Sequence, residues 1–366
     1  MSERTDTLKV FGQVVLLFGI LYLFLVSIGL MGSSFKMFGE GFATQLVETT
    51  TNPFVGLFVG ILATTLVQSS STTTSLVVGI VAGGGLTTST AIPIIMGANI
   101  GTSVTNTLVS MGHITRPVEF RRALAGATVH DFFNLISVAI LFPLELSTGY
   151  LQYLAGGAKD VFTGIGGMNL ANPIKASVKP AVALVTDLIG NHPWLLLLLA
   201  LVTMYVALKF LVDLARGLVV SKAERFLHQY LFGAAGYAML FGAVITVLVQ
   251  SSSITTSLII PLIGAGILTV EQIFPYTLGA NVGTTVTAML AALSTANVSA
   301  ITIAFVHLLF NLSGILLVYP IAAIRRIPIR LSHALANFTS KSRSLAVAYL
   351  IVVFYLLPLG VILIWR

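Results

Sequence analysis

Apolar and polar positions along this chain alternate on the scale of a lipid bilayer. Five runs, Val10–Met31, Ala123–Leu146, Trp194–Val212, Ala300–Ala323 and Leu345–Trp365, are apolar over about the 20 residues a transmembrane helix needs. Two further regions, Phe54–Val109 and Gly236–Leu293, are apolar throughout but are broken by Gly, Ser and Thr. In the first of them the breaks fall at Ser69–Ser75, Gly83–Gly85 and Gly97–Gly101, and no uninterrupted run suffices to cross as one plain helix. The pattern therefore predicts broken transmembrane helices in these two regions and plain spans elsewhere. Residues 32–52 read as a loop ending at Thr51-Asn52-Pro53. Residues 147–192, with Gly156-Gly157, Gly166-Gly167 and several prolines, read as an irregular linker.

The two broken regions are copies of one another. Val67-Gln68-Ser69-Ser70-Ser71-Thr72-Thr73-Thr74-Ser75 recurs 182 residues later as Val249-Gln250-Ser251-Ser252-Ser253-Ile254-Thr255-Thr256-Ser257. The same offset carries Pro93 onto Pro275 and Gly97-Ala98-Asn99-Ile100-Gly101-Thr102 onto Gly279-Ala280-Asn281-Val282-Gly283-Thr284. Residues 58–105 and 240–287 agree without a gap at 23 of 48 positions, so the chain is an internal duplication. Its expected organisation is a first repeat at 1–146, an extracytoplasmic linker at 147–192, a second repeat at 193–344 and a final span at 345–366.

Composition agrees with lipid as the solvent: 56% of residues are hydrophobic and 8% charged, where soluble domains carry roughly 25% charged residues. The chain has no cysteine, which excludes disulfides, thiolate chemistry and Cys-based metal sites. The run Val10–Met31 is too long for the roughly 7–15-residue core of a secretory signal and reads as a retained span. The net charge of +7 carries no nucleic-acid signature. It follows instead the excess of Lys and Arg on cytoplasmic loops. With the N-terminus cytoplasmic and each broken region making one net crossing, 14 of the 19 Lys and Arg fall inside. These lie in the N-terminal tail and around 116–122, 209–225 and 325–343. The second copy then enters the membrane from the side opposite to the first, so the repeat is inverted, a layout common among alternating-access transporters.

Clustered hydroxyls are costly in lipid unless they are partnered or line a wet cavity. Helix packing alone does not require Gln-Ser-Ser-Ser twice. Two half-helices meeting near the midplane could each offer N-terminal N–H groups and serine hydroxyls to a tetrahedral oxyanion such as phosphate. The core spans read as free of Lys and Arg, so a bound anion would be balanced by cotransported cations. Hard oxygen ligands for Na⁺ are available at Gln68, Thr73, Asn99, Thr102, Asp131, Asn134, Gln250, Thr255, Asn281 and Thr284. Asp131 is the one carboxylate well inside a span, and it shares a helix face with Asn134. The second copy writes His307-Leu308-Leu309-Phe310-Asn311 against His130-Asp131-Phe132-Phe133-Asn134, keeping His and Asn but not the carboxylate. Pairing of Asp131 with His130 or a nearby hydroxyl is the structural alternative, and both histidines could equally be buried hydrogen-bonded residues. The glycines beside Asn99 and Asn281 permit unwound backbone or close approach, and the two asparagines are expected to cap the half-helices that follow them.

These paired motifs, together with Phe120-Arg121-Arg122-Ala123-Leu124-Ala125-Gly126-Ala127-Thr128-Val129-His130-Asp131 and Arg326-Ile327-Pro328-Ile329-Arg330, resemble type II sodium–phosphate cotransporters over roughly residues 10–350. The resemblance implies an all-α integral membrane protein with an inverted-topology repeat, broken helices and two re-entrant helical hairpins. It implies Na⁺-driven import of inorganic phosphate, with phosphate on Ser69, Ser70, Ser71, Ser251, Ser252 and Ser253. It further implies that Asp131 accompanies charge-moving transport and that Asn134 contributes to a sodium site. The loop Gly112-His113-Ile114-Thr115-Arg116 does not show the Gln and Asp that family members present there. A compact form without cysteine suggests a multi-pass protein of a bacterial inner membrane. Na⁺ is the coupling ion and no cofactor is expected; a homo-oligomer stays open. An anion channel, a transporter of another oxyanion, and a non-transporting scaffold or sensor are the competing readings. An enzyme is disfavoured, because no nucleophile–base spacing and no Gly-rich loop followed by Lys occur.

Overall fold

The computed structural model describes residues 2–230, 235–340 and 342–365; the side chains at 2–11, 14, 40–49, 170, 212, 215–230 and 343 are not described. Among the described residues the chain is helical throughout. In order come α1 (Ser2–Thr49), α2 (Pro53–Val67), α3 (Ser70–Gly83), α4 (Thr88–Gly101), α5 (Ser103–Ser110), α6 (Pro117–Thr148), α7 (Tyr150–Gly164), α8 (Met168–Ile189) and α9 (Pro193–Tyr230). The second half holds α10 (Ala235–Val249), α11 (Ser252–Ser257), α12 (Ile260–Gly264), α13 (Val270–Thr295), α14 (Val298–Val318), α15 (Ala322–Thr339), α16 (Arg343–Ile351) and α17 (Leu357–Trp365).

Six stretches are long and apolar enough to cross a bilayer: Val15–Gly39, Thr88–His113, Pro117–Thr148, Pro193–Leu211, Val298–Val318 and Ser344–Trp365. Five of these correspond to the plain spans expected from sequence. The sixth corrects an expectation. Thr88–His113 forms one 26-residue candidate span in which Gly97 and Gly101 lie within α4 and the interruption falls one residue later, at Thr102 between α4 and α5, where the backbone stays right-handed helical (φ −57°, ψ −30°). Gly here marks close packing rather than a break. Two other corrections have local causes. Residues 32–49, expected as loop, continue α1 past a single non-helical residue, Gly39 at φ 78°. The linker is not irregular but two helices, α7 and α8, its turns confined to Gly149, Gly166 and Gly190 at positive φ.

The two copies share one packing scheme. A Cβ on Gly60 would strike the carbonyl oxygen of Ile94, one on Gly97 that of Leu57, and one on Gly101 that of Ile61. At the equivalent positions Gly242 faces Tyr276 O, Gly279 faces Met239 O and Gly283 faces Ala243 O. The contacts advance together in number, so α2 lies along α4 in the same direction, as α10 does along α13. Such small-residue seams let helix backbones approach where no hydrophobic force drives association. Gly79 against Met31 and Gly83 against Gly32 and Phe35 likewise set α3 parallel to α1. The largest core cluster gathers α1, α3, α4, α9, α13 and α14 around residues such as Phe24, Ile95 and Phe310.

Candidate functional site

Each hydroxyl motif opens a helix after a one-residue reversal. Gln68 and Gln250 adopt left-handed backbone (φ 56° and 58°), conformations uncommon for a side chain with a Cβ. Ser69 and Ser251 follow with nearly superimposable dihedrals, φ −151° and ψ 106° against φ −151° and ψ 109°. Both cap the next helix: Thr72 N donates to Ser69 Oγ at 3.2 Å and Ile254 N to Ser251 Oγ at 3.4 Å. The backbone N–H groups of the first turn are left without intrahelical acceptors, as at any helix start.

The two reversals meet. Ser71 Oγ donates to the Gln250 carbonyl at 3.3 Å. Between them lies a cavity of about 190 Å³ lined by Gln68, Ser69, Ser71 and Thr72 from one copy and Gln250, Ser251, Ser253 and Ile254 from the other. Four of the six candidate serines thus face one space; Ser70 and Ser252 are buried away from it. Lys209 and Asp213 of α9 also line this cavity. Lys209, assigned from sequence to a cytoplasmic loop, lies inside the span Pro193–Leu211, so that span is not free of basic residues. The signal was present: Lys209 and Asp213 stand i, i+4 on one helix face.

Behind the cavity the copies interlock through their asparagines. Asn281 Nδ2 donates to Asn134 Oδ1 at 3.1 Å, and Asn311 Nδ2 donates to Asn99 Oδ1 at 3.3 Å. Asn134 corresponds to Asn311 and Asn281 to Asn99, so the same pair of residues meets twice across copies, with donor and acceptor exchanged. Asn134 Nδ2 also donates to the Asn99 carbonyl at 2.9 Å. Asn99 and Asn281 therefore do not cap helices. They lie inside α4 and α13, where each amide meets another amide across a buried seam. His130 Nε2 meets Asn281 Oδ1, which makes that nitrogen the donor, and Nδ1 lies 3.2 Å from Ser103 Oγ. His307 is equally buried, yet neither ring nitrogen has a hydrogen-bond partner.

Asp131 is fully buried, and its partner was invisible in sequence: Tyr349 of α16 donates to Oδ2 at 3.1 Å. Asp131 Oδ1 and Asn311 Oδ1 have no partner. Buried unpaired oxygens are rare in folded proteins and point to a water or an ion. The remaining candidate oxygens are committed to helix carbonyls in matched pairs. Thr73 Oγ1 donates to Ser69 O and Thr255 Oγ1 to Ser251 O, at 3.2 and 3.0 Å. Thr102 Oγ1 donates to Ala98 O and Thr284 Oγ1 to Ala280 O, at 3.0 and 3.1 Å. The glutamines differ between copies. Thr287 Oγ1 donates to Gln250 Oε1 at 2.8 Å, whereas the equivalent Thr105 Oγ1 is buried without a partner and Gln68 is exposed.

This arrangement can be set beside known proteins. The Na+/Pi-cotransporter family model matches residues 23–170 and 203–335. The chain belongs to that family. The family's curated members include the sodium-dependent phosphate transport protein 2B of Pongo abelii, 36% identical over 96% of this chain and 65% of that protein. The 2A protein of Rattus norvegicus is 38% identical over 94% of this chain and 66% of its own length, and the 2B protein of Homo sapiens 36% over 96% and 65%. The chain therefore spans 65–66% of the length of these relatives. No solved structure matches it significantly. Family membership and the six candidate spans make it a multi-pass membrane protein.

Proposed function

We propose that the chain is a sodium-coupled importer of inorganic phosphate, working by alternating access in a bacterial inner membrane. The cavity shared by equivalent residues of both copies carries this reading: a ligand there touches Ser69 and Ser71 together with Ser251 and Ser253. In this reading α2–α3 and α10–α12 are two re-entrant hairpins whose tips meet, and residues 1–146 and 193–344 form the inverted repeats. The parallel packing of α3 on α1 and of α2 on α4 supports a fold-back at Gln68. Names of the relatives supply the substrate and the coupling ion.

Phosphate is held by serine hydroxyls and first-turn N–H groups, donors without net charge, with Lys209 beside them. Na⁺ is held by hard oxygens, Asp131 Oδ1 foremost, with Asn134 next to it on the same face; Gln68, Thr73, Asn99, Thr102, Gln250, Thr255, Asn281 and Thr284 complete the available set. Lys209 and Asp213 lie at the expected cytoplasmic end of the span Pro193–Leu211, and in this reading the present conformation is inward-open. The glutamines support a two-state device. Gln250 is latched by Thr287 while Gln68 is free of Thr105, and passage to the other state exchanges the two.

Uptake of labelled phosphate into proteoliposomes tests the proposal. An inward Na⁺ gradient should accelerate it, and Ser71→Ala or Ser253→Ala should raise KM. Uptake indifferent to Na⁺ would refute the coupling, and currents without counter-gradient accumulation would favour a channel.

A further inference from the structure

A second polar cavity lies at the opposite end of α13 from the arginine-rich segments. The first turn of α13 borders a cavity shared with Arg122 and His333. Its last turn, Ser294 and Thr295, borders a cavity of about 270 Å³ closed by α1, α3 and α8. The two ends are ~39 Å apart along a 26-residue helix.

Three lysines line the far cavity: Lys36 from α1, and Lys175 and Lys179 from α8. Ser33, Ser294 and Thr295 add hydroxyls, and Gly29, Gly32, Ala82, Val178 and Val182 are among its apolar lining. Among the described residues the lining holds no carboxylate and none of the three lysines makes an ion pair. On the face opposite the cytoplasmic arginines a membrane protein carries few Lys and Arg. Here only Lys36, Lys159, Lys175, Lys179 and Arg366 are assigned to that face, and three of the five converge on one hollow. Gly29 makes the convergence geometrically feasible, because a Cβ there would meet Val182 Cγ2 at 2.6 Å and push α8 off α1.

The three lysines are exposed, and around one hollow they present a positive field that favours a ligand of opposite charge. Ammonium groups bind tetrahedral phosphate as point charges, and hydroxyls contribute neutral donors. We propose that this cavity is a second oxyanion site, for a phosphate group, on the uptake face and separate from the serine-lined centre. That group has two chemical sources, free inorganic phosphate entering the protein or the headgroup of an anionic phospholipid. The proposal stands on the lysine geometry and does not require the central site to work as described above.

The test removes Na⁺, on which phosphate binding at the centre is proposed to depend. In choline medium, equilibrium binding of labelled phosphate is measured on purified protein, with no transport involved. K36Q/K175Q/K179Q should bind roughly tenfold more weakly or worse, K36R/K175R/K179R should retain binding, and Ser71→Ala/Ser253→Ala should not change it. In a second arm, thermal stability is compared in phosphatidylcholine vesicles with and without phosphatidylglycerol. A lipid source predicts that the anionic lipid raises the melting temperature of wild type and of the arginine variant but not of the glutamine variant. Effects in the first arm assign free phosphate, and in the second a headgroup. A glutamine variant matching wild type in both arms overturns the proposal, as would an arginine variant that loses binding although folded.

Discussion

Replacing Asn281 by Ala should destabilise the protein more than replacing its repeat counterpart Asn99, although both stand in the same Gly-Ala-Asn-x-Gly-Thr motif. Asn281 makes two side-chain bonds across the seam, one to Asn134 Oδ1 at 3.1 Å and one with His130 Nε2, and all three residues are buried. Asn99 makes one, accepting from Asn311 Nδ2 at 3.3 Å, while its own Nδ2 is spent on Ile95 O within its helix. When Asn99 is truncated, Asn311 Nδ2 keeps the His307 carbonyl at 3.0 Å, and the Asn99 carbonyl still accepts from Asn134. When Asn281 is truncated, His130 Nε2 loses its close acceptor and Asn134 Oδ1 loses its only donor. Interhelical side-chain hydrogen bonds in membranes are worth on average about 0.6 and at most about 1.7 kcal/mol. Two bonds give a loss of roughly 1–3 kcal/mol for Asn281→Ala and one bond roughly 0.5–1.5 for Asn99→Ala. The volume removed is the same in both variants, so the cavity contribution largely cancels in the comparison. Unfolding by titration with sodium dodecyl sulfate in mixed micelles, followed by tryptophan fluorescence and circular dichroism, measures the ranking. Equal midpoints, or a less stable Asn99→Ala, would refute the assignment of the cross-copy network.

The remaining expectations are these. Gly97→Ala and Gly279→Ala place a methyl against a backbone carbonyl that cannot rotate away, and should cost about 1–3 kcal/mol or more by overpacking; Gly156→Ala, with nothing within 4 Å, should be neutral in the same denaturation assay. Lys209→Gln should raise the KM for phosphate severalfold with little change in the maximal rate, read from initial uptake rates. Tyr349→Phe removes the hydroxyl that donates to Asp131 Oδ2 and should alter Na⁺ dependence while leaving phosphate affinity near wild type; Asp131→Asn should slow uptake and change net charge per cycle in electrical recordings. Thr287→Val unlatches Gln250 and should shift the population away from the inward-open state, whereas Thr105→Val, which breaks no bond, should not; thiol accessibility from the two faces reads the difference.

Repetition makes much of the centre legible in the sequence itself. Gln68 and Gln250, and the serines after them, recur because each copy needs the same left-handed reversal and the same serine cap, and both are local, short-range requirements. The glycine seams are legible only in part, because Gly permits either an unwound backbone or a close approach. Gly97 and Gly101 look like breaks when judged by helix propensity, but in lipid a helix keeps its hydrogen bonds, and the missing Cβ serves the neighbouring backbone. Asn99 and Asn281 looked like caps because Asn before a helical segment usually is one; only tertiary packing reveals the amide–amide seam. Tyr349 carried no signal at all, since nothing in the final span marks it as the partner of a carboxylate 218 residues away. Lys209 was readable but was assigned by loop charge rather than by its place within the span. The repeat also concealed an asymmetry: identical Gln and Thr pairs bond in one half and not in the other.

Because the chain has no cysteine, one introduced thiol reports on the cavity alone. Ile254 lines it at the one position where the two motifs differ, so Ile254→Cys leaves every shared hydroxyl in place. The rate at which a membrane-impermeant thiosulfonate modifies that residue in reconstituted vesicles, with Na⁺, with phosphate, and with both, tests the central claim most directly. Phosphate together with Na⁺ should slow modification strongly, while phosphate in choline should not. Equal rates under all three conditions would show that the space between the two serine motifs does not hold the anion.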